Sequence, residues 1–233
     1  MKKVLSYLKP YWKQLVLVVI LLFVQAICDL SLPNYMSEII NVGLQQGGIT
    51  ESAPKAIDQK GYELLTIFMT EEDRQTVADS YELITKDHED YTNYLEDYPK
   101  LEEEDIYVLK SDHDKEELNT IFSTAMMSFT SLSEEMMQSE NADVTDGSSI
   151  HIEAIYEMIP MLQTIPQEKI EALIEESSSS TSSLASQVGP VFVKMFYQEL
   201  GVDTDQIQQN YIILTGAKML GLALIIALTA VLV

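Results

Sequence analysis

The chain has 233 residues with 14 Lys and Arg against 37 Asp and Glu, a formal net charge of −23, and a single cysteine. Such acidity repels nucleic acid and anionic lipid headgroups, and one cysteine excludes a disulfide framework within the chain. The charge is divided: four lysines and no acid precede Asp29, residues 30–210 hold nine Lys and Arg against 36 Asp and Glu, a formal −27, and beyond them Lys218 is the one charged residue.

The first element is the apolar run Leu15 to Leu32, LVLVVILLFVQAICDLSL, apolar up to Cys28 except for Gln25. As helix, Leu15 to Cys28 covers roughly 21 Å, short of the roughly 30 Å hydrocarbon core. The flanks supply the rest, because Tyr11 and Trp12 suit the headgroup layer and Lys9 and Lys13 can snorkel into water. Tyr11 to Leu32 therefore reads as a transmembrane helix preceded by a short N-terminal segment, residues 1–10. Lys2, Lys3, Lys9 and Lys13 place that N-terminus in the cytoplasm and whatever follows Leu32 outside. A cleaved signal peptide shares the basic start and apolar core. Retention is favoured, because no small-x-small pair ends the core and Ile27 precedes Cys28 where a lipoprotein signal needs a small residue.

Pro33 is expected to close this helix with a bend or break, since its ring clashes with the Asp29 carbonyl. Leu32, Met36, Ile39, Ile40 and Leu44 recur at helical spacing, so residues 33–49 read as an amphipathic outer extension. Gly47-Gly48 ends it.

Residues 50–210 form the acidic segment, long enough to bury a core of its own. Thr70 and Asp73 resemble a capping box. Tyr81 to Thr85 and Ile106 to Leu109 read as short strands and are candidates to pair with each other. Asp112 is placed to cap a long helix with the stripe Leu118, Ile121, Phe122, Ala125, Phe129, Leu132 and Met136, which needs a partner face. Candidate partners are Ile155, Met158, Ile159 and Leu162; Ile170, Leu173 and Ile174 in a helix that Pro166 starts; and Val188, Val191, Phe192, Met195 and Phe196. Ser177 to Ser183 is low in complexity and reads as a mobile connection. Gly201 ends the last of these helices and Asp203 caps the next.

Ile212 to Val233 is a second apolar run, broken by Thr215, Lys218 and Thr229, and its 22 residues cover about 33 Å as helix. With residues 211–233 as a returning span, the fold class is an all-α membrane protein. A transmembrane hairpin carries a mostly helical extracytoplasmic domain, with at most one short β-pair, between its spans. The run has no basic flank after it, so the sequence is expected to be the N-terminal part of a longer chain. The lack of disulfides and of N-x-S/T sequons suits a bacterial protein.

No catalytic, cofactor-binding or metal-binding residue is assigned. His88, His113 and His151 lie on separate segments without ligand spacing and read as surface histidines. Asp146-Gly147 with Glu153 imitates the end of a calcium loop, but Ala142 and Val144 occupy the earlier ligand positions. Glu102 to Asp105 reads as a solvated acidic turn. Met126-Met127 and Met136-Met137 suit core packing or a soft apolar surface. Neither nucleophile motifs nor a Walker A loop occur. Charged groups at membrane depth are costly and often functional. Lys218 would snorkel, line a polar pathway or bind an acidic partner, and Asp29 would reach water or a basic group of another helix.

The stretch YLKPYWKQLVLVVILLFVQAICDLSLPNYMSEIINVGLQQGGI, residues 7–49, resembles the first transmembrane segment of bacterial, Firmicutes-type type IV ABC exporters of the multidrug class. The resemblance rests on Leu32, Pro33, Met36, Ser37, Ile39, Ile40, Asn41 and Gly43. Residues 201–225 look like the start of the family's second helix. The resemblance implies a subunit, in the subgroup that works as heterodimers with a large extracytoplasmic insertion, which exports amphipathic drugs, lipids or peptides at the expense of ATP. Its implied partners are the lipid bilayer, a second exporter subunit and a small amphipathic substrate, without nucleic acid, and the implied location is the cell membrane, multi-pass. ATP and Mg are implied for a nucleotide-binding domain that these residues do not contain, so the enzyme assignment belongs to that domain. A two-span sensor, either chemoreceptor or sensor kinase, shares the same layout.

Overall fold

A computed structural model describes residues 11–111, 114–139, 152–179 and 182–232. The chain divides into two compact units: an apolar unit, the chain up to Gly48 and from Ile207 on, and an acidic unit, Ile49–Gln206. The described residues are mostly helical, with little strand.

The apolar unit starts with α1, Trp12–Glu38, which continues through Pro33. The expected end of the helix at Pro33 is thus corrected. A proline removes one backbone donor, here the one that would meet the Asp29 carbonyl, and a long helix can absorb that single loss. Ser31 Oγ makes a separate bond to the Ile27 carbonyl at 2.8 Å, one turn away. The change in geometry comes later, where the chain loosens into a seven-residue π-helix, Ile39–Gln45. Gly47 and Gly48 then stop it with φ of 67° and 80°, left-handed values that glycine adopts without a Cβ penalty.

The last helix of the chain, Thr204–Leu232, is capped as expected, with Asp203 Oδ1 accepting from Gln206 N at 2.9 Å. At 27 and 29 residues, α1 and this helix cover about 40 and 43 Å, more than the roughly 30 Å of hydrocarbon. Both are long and apolar enough to cross a membrane. A core helix of a soluble protein would be covered; here Phe23 is 69% exposed, Leu30 76% and Val231 85%.

The acidic unit is built on a three-stranded antiparallel sheet in the order β1-β3-β2. These are β1, Ala56–Asp58; β2, Tyr81–Ile84; and β3, Ile106–Leu109. The expected pairing of the last two is present, with Tyr81 opposite Leu109 and Ile84 opposite Ile106. Ala56–Asp58 adds a third strand that was not expected, so the β structure exceeds a single pair. Three residues are too few to show alternation, and all three are buried.

Helices α2, Gln59–Ile67, and α3, Glu71–Ser80, follow β1, and the capping box of Thr70 and Asp73 opens α3. After β2 come α4, Tyr91–Asp97, and a 3-10 turn, Pro99–Glu102. Leu101 and Leu200 join Ala56, Ile84, Ile106 and Val108 in one buried cluster on one face of the sheet. Tyr62 of α2 stacks on Tyr107 of the opposite face at 4.0 Å.

The long helix α5, Lys115–Ser139, buries Leu118, Ile121, Phe122, Ala125, Met126, Phe129 and Leu132. Its cap is Asp114, whose Oδ1 accepts from Glu116 N and Glu117 N at 3.0 and 3.1 Å. Asp112, expected in that role, lies outside the described residues.

The partner face is supplied by α8, Gln167–Ser179, and α9, Ser182–Glu199, after two short helices, α6, Ile152–Glu157, and α7, Ile159–Leu162. The expected stripe on α9 holds in part: Phe196 is buried and Phe192 meets Phe129 edge-on at 5.7 Å, but Val191 is 41% exposed, and Val193, Tyr197 and Leu200, not expected, are buried. Both sets have helical spacing in a run of apolar residues, and the buried set includes a tyrosine. The serine run is mostly helix, since α8 reaches Ser179 and α9 starts at Ser182, with residues 180–181 outside the described set. Gly201, with φ of 77°, ends α9 as expected. The remaining helix, Thr204–Leu232, is α10.

Phe122 is 1% exposed and tilted against Tyr81 at 5.6 Å, so Phe122→Ala should destabilise the acidic unit by about 3–5 kcal/mol. A Cβ on buried Gly189 would overlap the Ser52 side chain and lie 3.1 Å from its Cα. Gly189→Ala should therefore cost about 1–3 kcal/mol through overpacking. Denaturant unfolding of the purified protein, with exposed Glu72→Ala as the neutral reference, measures both.

Candidate functional site

Two sets of residues carry polar chemistry in the described chain, one in each unit. In the apolar unit, Asp29 and Lys218 are both exposed, and neither forms an ion pair among the described residues. The structure does not bring them together. Its buried polar residues are instead Gln46, Thr215 and Thr229, and Thr229 Oγ1 donates to the Ile226 carbonyl at 2.8 Å. Such back-bonding satisfies a hydroxyl without any partner helix.

The π-helix holds Ile39, Ile40, Asn41 and Gly43, four of the eight residues on which the resemblance rests; Leu32, Pro33, Met36 and Ser37 precede it in α1. Asn41 Nδ2 donates to Ser37 Oγ at 3.0 Å, and the Asn41 carbonyl accepts from Gln46 N at 3.1 Å, five residues on. Gly43 is buried, and a Cβ there would stand 2.9 Å from Ile212 Cγ1. At Gly48 a Cβ would meet the Ile207 carbonyl and Tyr211 Cβ, both at 2.9 Å. Glycine at both places therefore lets the π segment and its turn lie directly on α10. π-helices are rare and favour functional positions.

In the acidic unit the polar groups converge on the segment that enters it, residues 52–61. Asn119 Oδ1 accepts from Ser52 N at 2.6 Å and Ala53 N at 3.0 Å. Tyr81 OH donates to the Pro54 carbonyl at 2.6 Å, and Tyr197 OH accepts from Lys55 N at 3.0 Å. Asp58 is 1% exposed and caps α2, accepting from Gly61 N at 3.3 Å. Its second partner is Tyr156 OH at 2.6 Å. Burial, and then the Asp58 charge, push the Tyr156 hydroxyl far above the ordinary tyrosine range. Burial likewise pushes Tyr197 up to about 12. Both tyrosines stay protonated, which suits groups that hold backbone and carboxylate in place and not acid–base catalysts poised near neutrality.

None of these anchors was singled out in the sequence. Asp58 ahead of a helical stretch was the available signal, as a cap; Asn119, Tyr156 and Tyr197 sit on faces read for apolar periodicity alone.

Among the described residues no group of three or more His, Cys, Asp and Glu is placed to hold a metal ion. His88 is a turn residue: its Nε2 lies 3.4 Å from Glu82, and its Nδ1 accepts from Asp90 N at 3.1 Å. His113, His151 and the Asp146-Gly147 pair lie outside the described residues. In the acidic run, Glu103 pairs with Lys100 at 3.1 Å. Met126 is fully buried, which supports its reading as core. Among the described residues the positive-φ glycines, Gly47, Gly48 and Gly201, lie at helix ends.

Compared with protein-family models, with curated proteins and with solved structures, the chain finds no match.

Burial and the Asp58 charge raise the Glu104 carboxyl above the usual carboxylate range. The folded state thus favours its protonated form, so the penalty is full at neutral pH and disappears as pH falls through the carboxylate range. Glu104→Gln should raise the melting temperature at pH 7, and that gain should shrink toward zero on acidification, as followed by circular dichroism.

Proposed function

We propose that the chain forms the first transmembrane hairpin of a type IV ABC exporter subunit, with the acidic domain inserted between its two helices on the outer side of a cell membrane. The observation that carries this reading is the coincidence at the end of α1. Ile39, Ile40, Asn41 and Gly43, four of the residues that bear the family resemblance, lie in the π-helix, with Gly43 at its close approach to Ile212. In this reading α1 and α10 contribute one wall of an export pathway, with residues 29–43 at its outer rim. The acidic domain caps or gates the outer opening. ATP and Mg serve a nucleotide-binding domain beyond these residues, and the partner is a second exporter subunit.

The lysines before α1 and the acid excess of the middle segment support the orientation. Uncovered side chains such as Phe23 and Leu30 support contact with lipid or with further helices.

Replacing residues 52–200 by a short linker in the full-length protein tests the role of the domain. ATP turnover should persist, while its stimulation by amphipathic drugs and their efflux should change by severalfold. Unchanged stimulation and efflux would remove any gating or capping role. Absence of ATP turnover in the unmodified full-length protein, with ligand-dependent phosphotransfer in its place, would replace the exporter by a two-span sensor.

A further inference from the structure

A cleft of about 380 Å³ lies in the acidic unit, where the α2–α3 connection faces α7 and α8. Its floor is apolar: Met69, Leu162, Ile170 and Ile174 are buried there, and Ile67 and Ile165 form half-buried sides. Size and lining fall within the range of small-molecule sites. Three sets of hydrogen bonds frame it. Arg74 Nε donates to the Thr66 carbonyl at 2.8 Å, Thr70 and Asp73 form the capping box of α3, and Gln163 Nε2 donates to Glu63 Oε1 at 2.7 Å across 100 residues of chain. The frame therefore exists without a ligand.

Charge selects what enters. Three ionised side chains line the cleft, Glu71, Arg74 and Glu171. Arg74 is the only arginine of the chain, and its guanidinium is already engaged, by the Thr66 carbonyl and by Glu71 Oε2 at 3.5 Å. Glu171 forms no ion pair among the described residues, and Lys169, two positions away on α8, is tied to Glu135 at 2.9 Å. The lining thus keeps one uncompensated carboxylate above an apolar floor, in a segment of formal charge −27. Such a field raises the local concentration of cations and lowers that of anions.

We propose that this cleft binds a small amphipathic cation, its apolar body on the isoleucine and leucine side chains and its positive charge beside Glu171. The site stands independently of the exporter reading, since it uses residues of the acidic unit alone.

The test is carried out on the whole protein in nanodiscs, with 13C-labelled isoleucine methyl groups observed by NMR. Tetraphenylphosphonium is the probe, and tetraphenylborate, of the same shape and opposite charge, is the control. Tetraphenylphosphonium should shift the Ile67, Ile165, Ile170 and Ile174 methyl signals saturably. The borate should leave them unmoved at equal concentration. Glu171 is exposed, so Glu171→Gln should fold normally and weaken the phosphonium response about fivefold, the order expected of one partly screened charge pair; Glu171→Lys should abolish it. Shifts confined to membrane-helix isoleucines such as Ile20 and Ile225, equal or stronger shifts with the borate, or an unchanged response in both Glu171 variants would overturn the proposal.

Discussion

Uncovered apolar surface is the constraint on which everything else in this chain depends. α1 and α10 satisfy their backbones internally, as helices do, yet side chains such as Phe23, Leu30 and Val231 have nothing folded over them. Water would make that arrangement costly, at about 25 cal/mol for each Å² of exposed apolar area. A hydrocarbon surrounding removes the cost and leaves backbone geometry as the variable. That gives the α-to-π transition its interest: it occurs where α1 meets α10, and it needs Gly43 for the approach to Ile212 and Gly48 for the turn beneath Ile207 and Tyr211.

The acidic unit solves a different problem. A formal charge of −27 over residues 30–210 favours expansion through self-repulsion. Its compact state rests on a continuous aromatic and aliphatic interior, Phe68 against Phe129 and Phe129 against Phe192, and on the pinned segment at its entrance. Asn119, Tyr197 and Tyr156, on helices, and Tyr81, on β2, tie residues 52–58 to elements distant in sequence. The first strand of the sheet is thereby fixed by polar contacts as much as by its three residues of ladder.

Legibility followed the kind of signal. Periodic elements were plain: the α5 stripe, the Thr70–Asp73 box, the Asp203 cap, the Gly201 stop and the pairing of Tyr81–Ile84 with Ile106–Leu109 could all be read from residue type and spacing. Pro33 misled because a proline removes a single backbone donor, and a 27-residue helix continues past one such loss. On α9 the expected stripe missed Tyr197, whose hydroxyl meets Lys55 N, a partner 142 positions away that no local spacing announces. The cap at Asp114 was missed for Asp112, two positions earlier, because residue type alone does not fix where a helix starts. Polar anchors such as Asn119 and Tyr156 left no periodic trace, because their role is defined by the groups they meet and not by their neighbours in sequence. The cleft is hidden for the same reason: its walls join residues near 70 to residues near 170.

Membrane topology is the central claim, and single-cysteine accessibility addresses it most directly. With Cys28→Ser as background, Thr92→Cys on an exposed position of α4 and Lys2→Cys near the N-terminus give two reporters. A membrane-impermeant maleimide applied to intact cells should label Thr92→Cys at once and Lys2→Cys only after the cells are opened. Labelling of Lys2→Cys in intact cells, or protection of Thr92→Cys until lysis, would contradict a cytoplasmic N-terminus and an acidic domain outside.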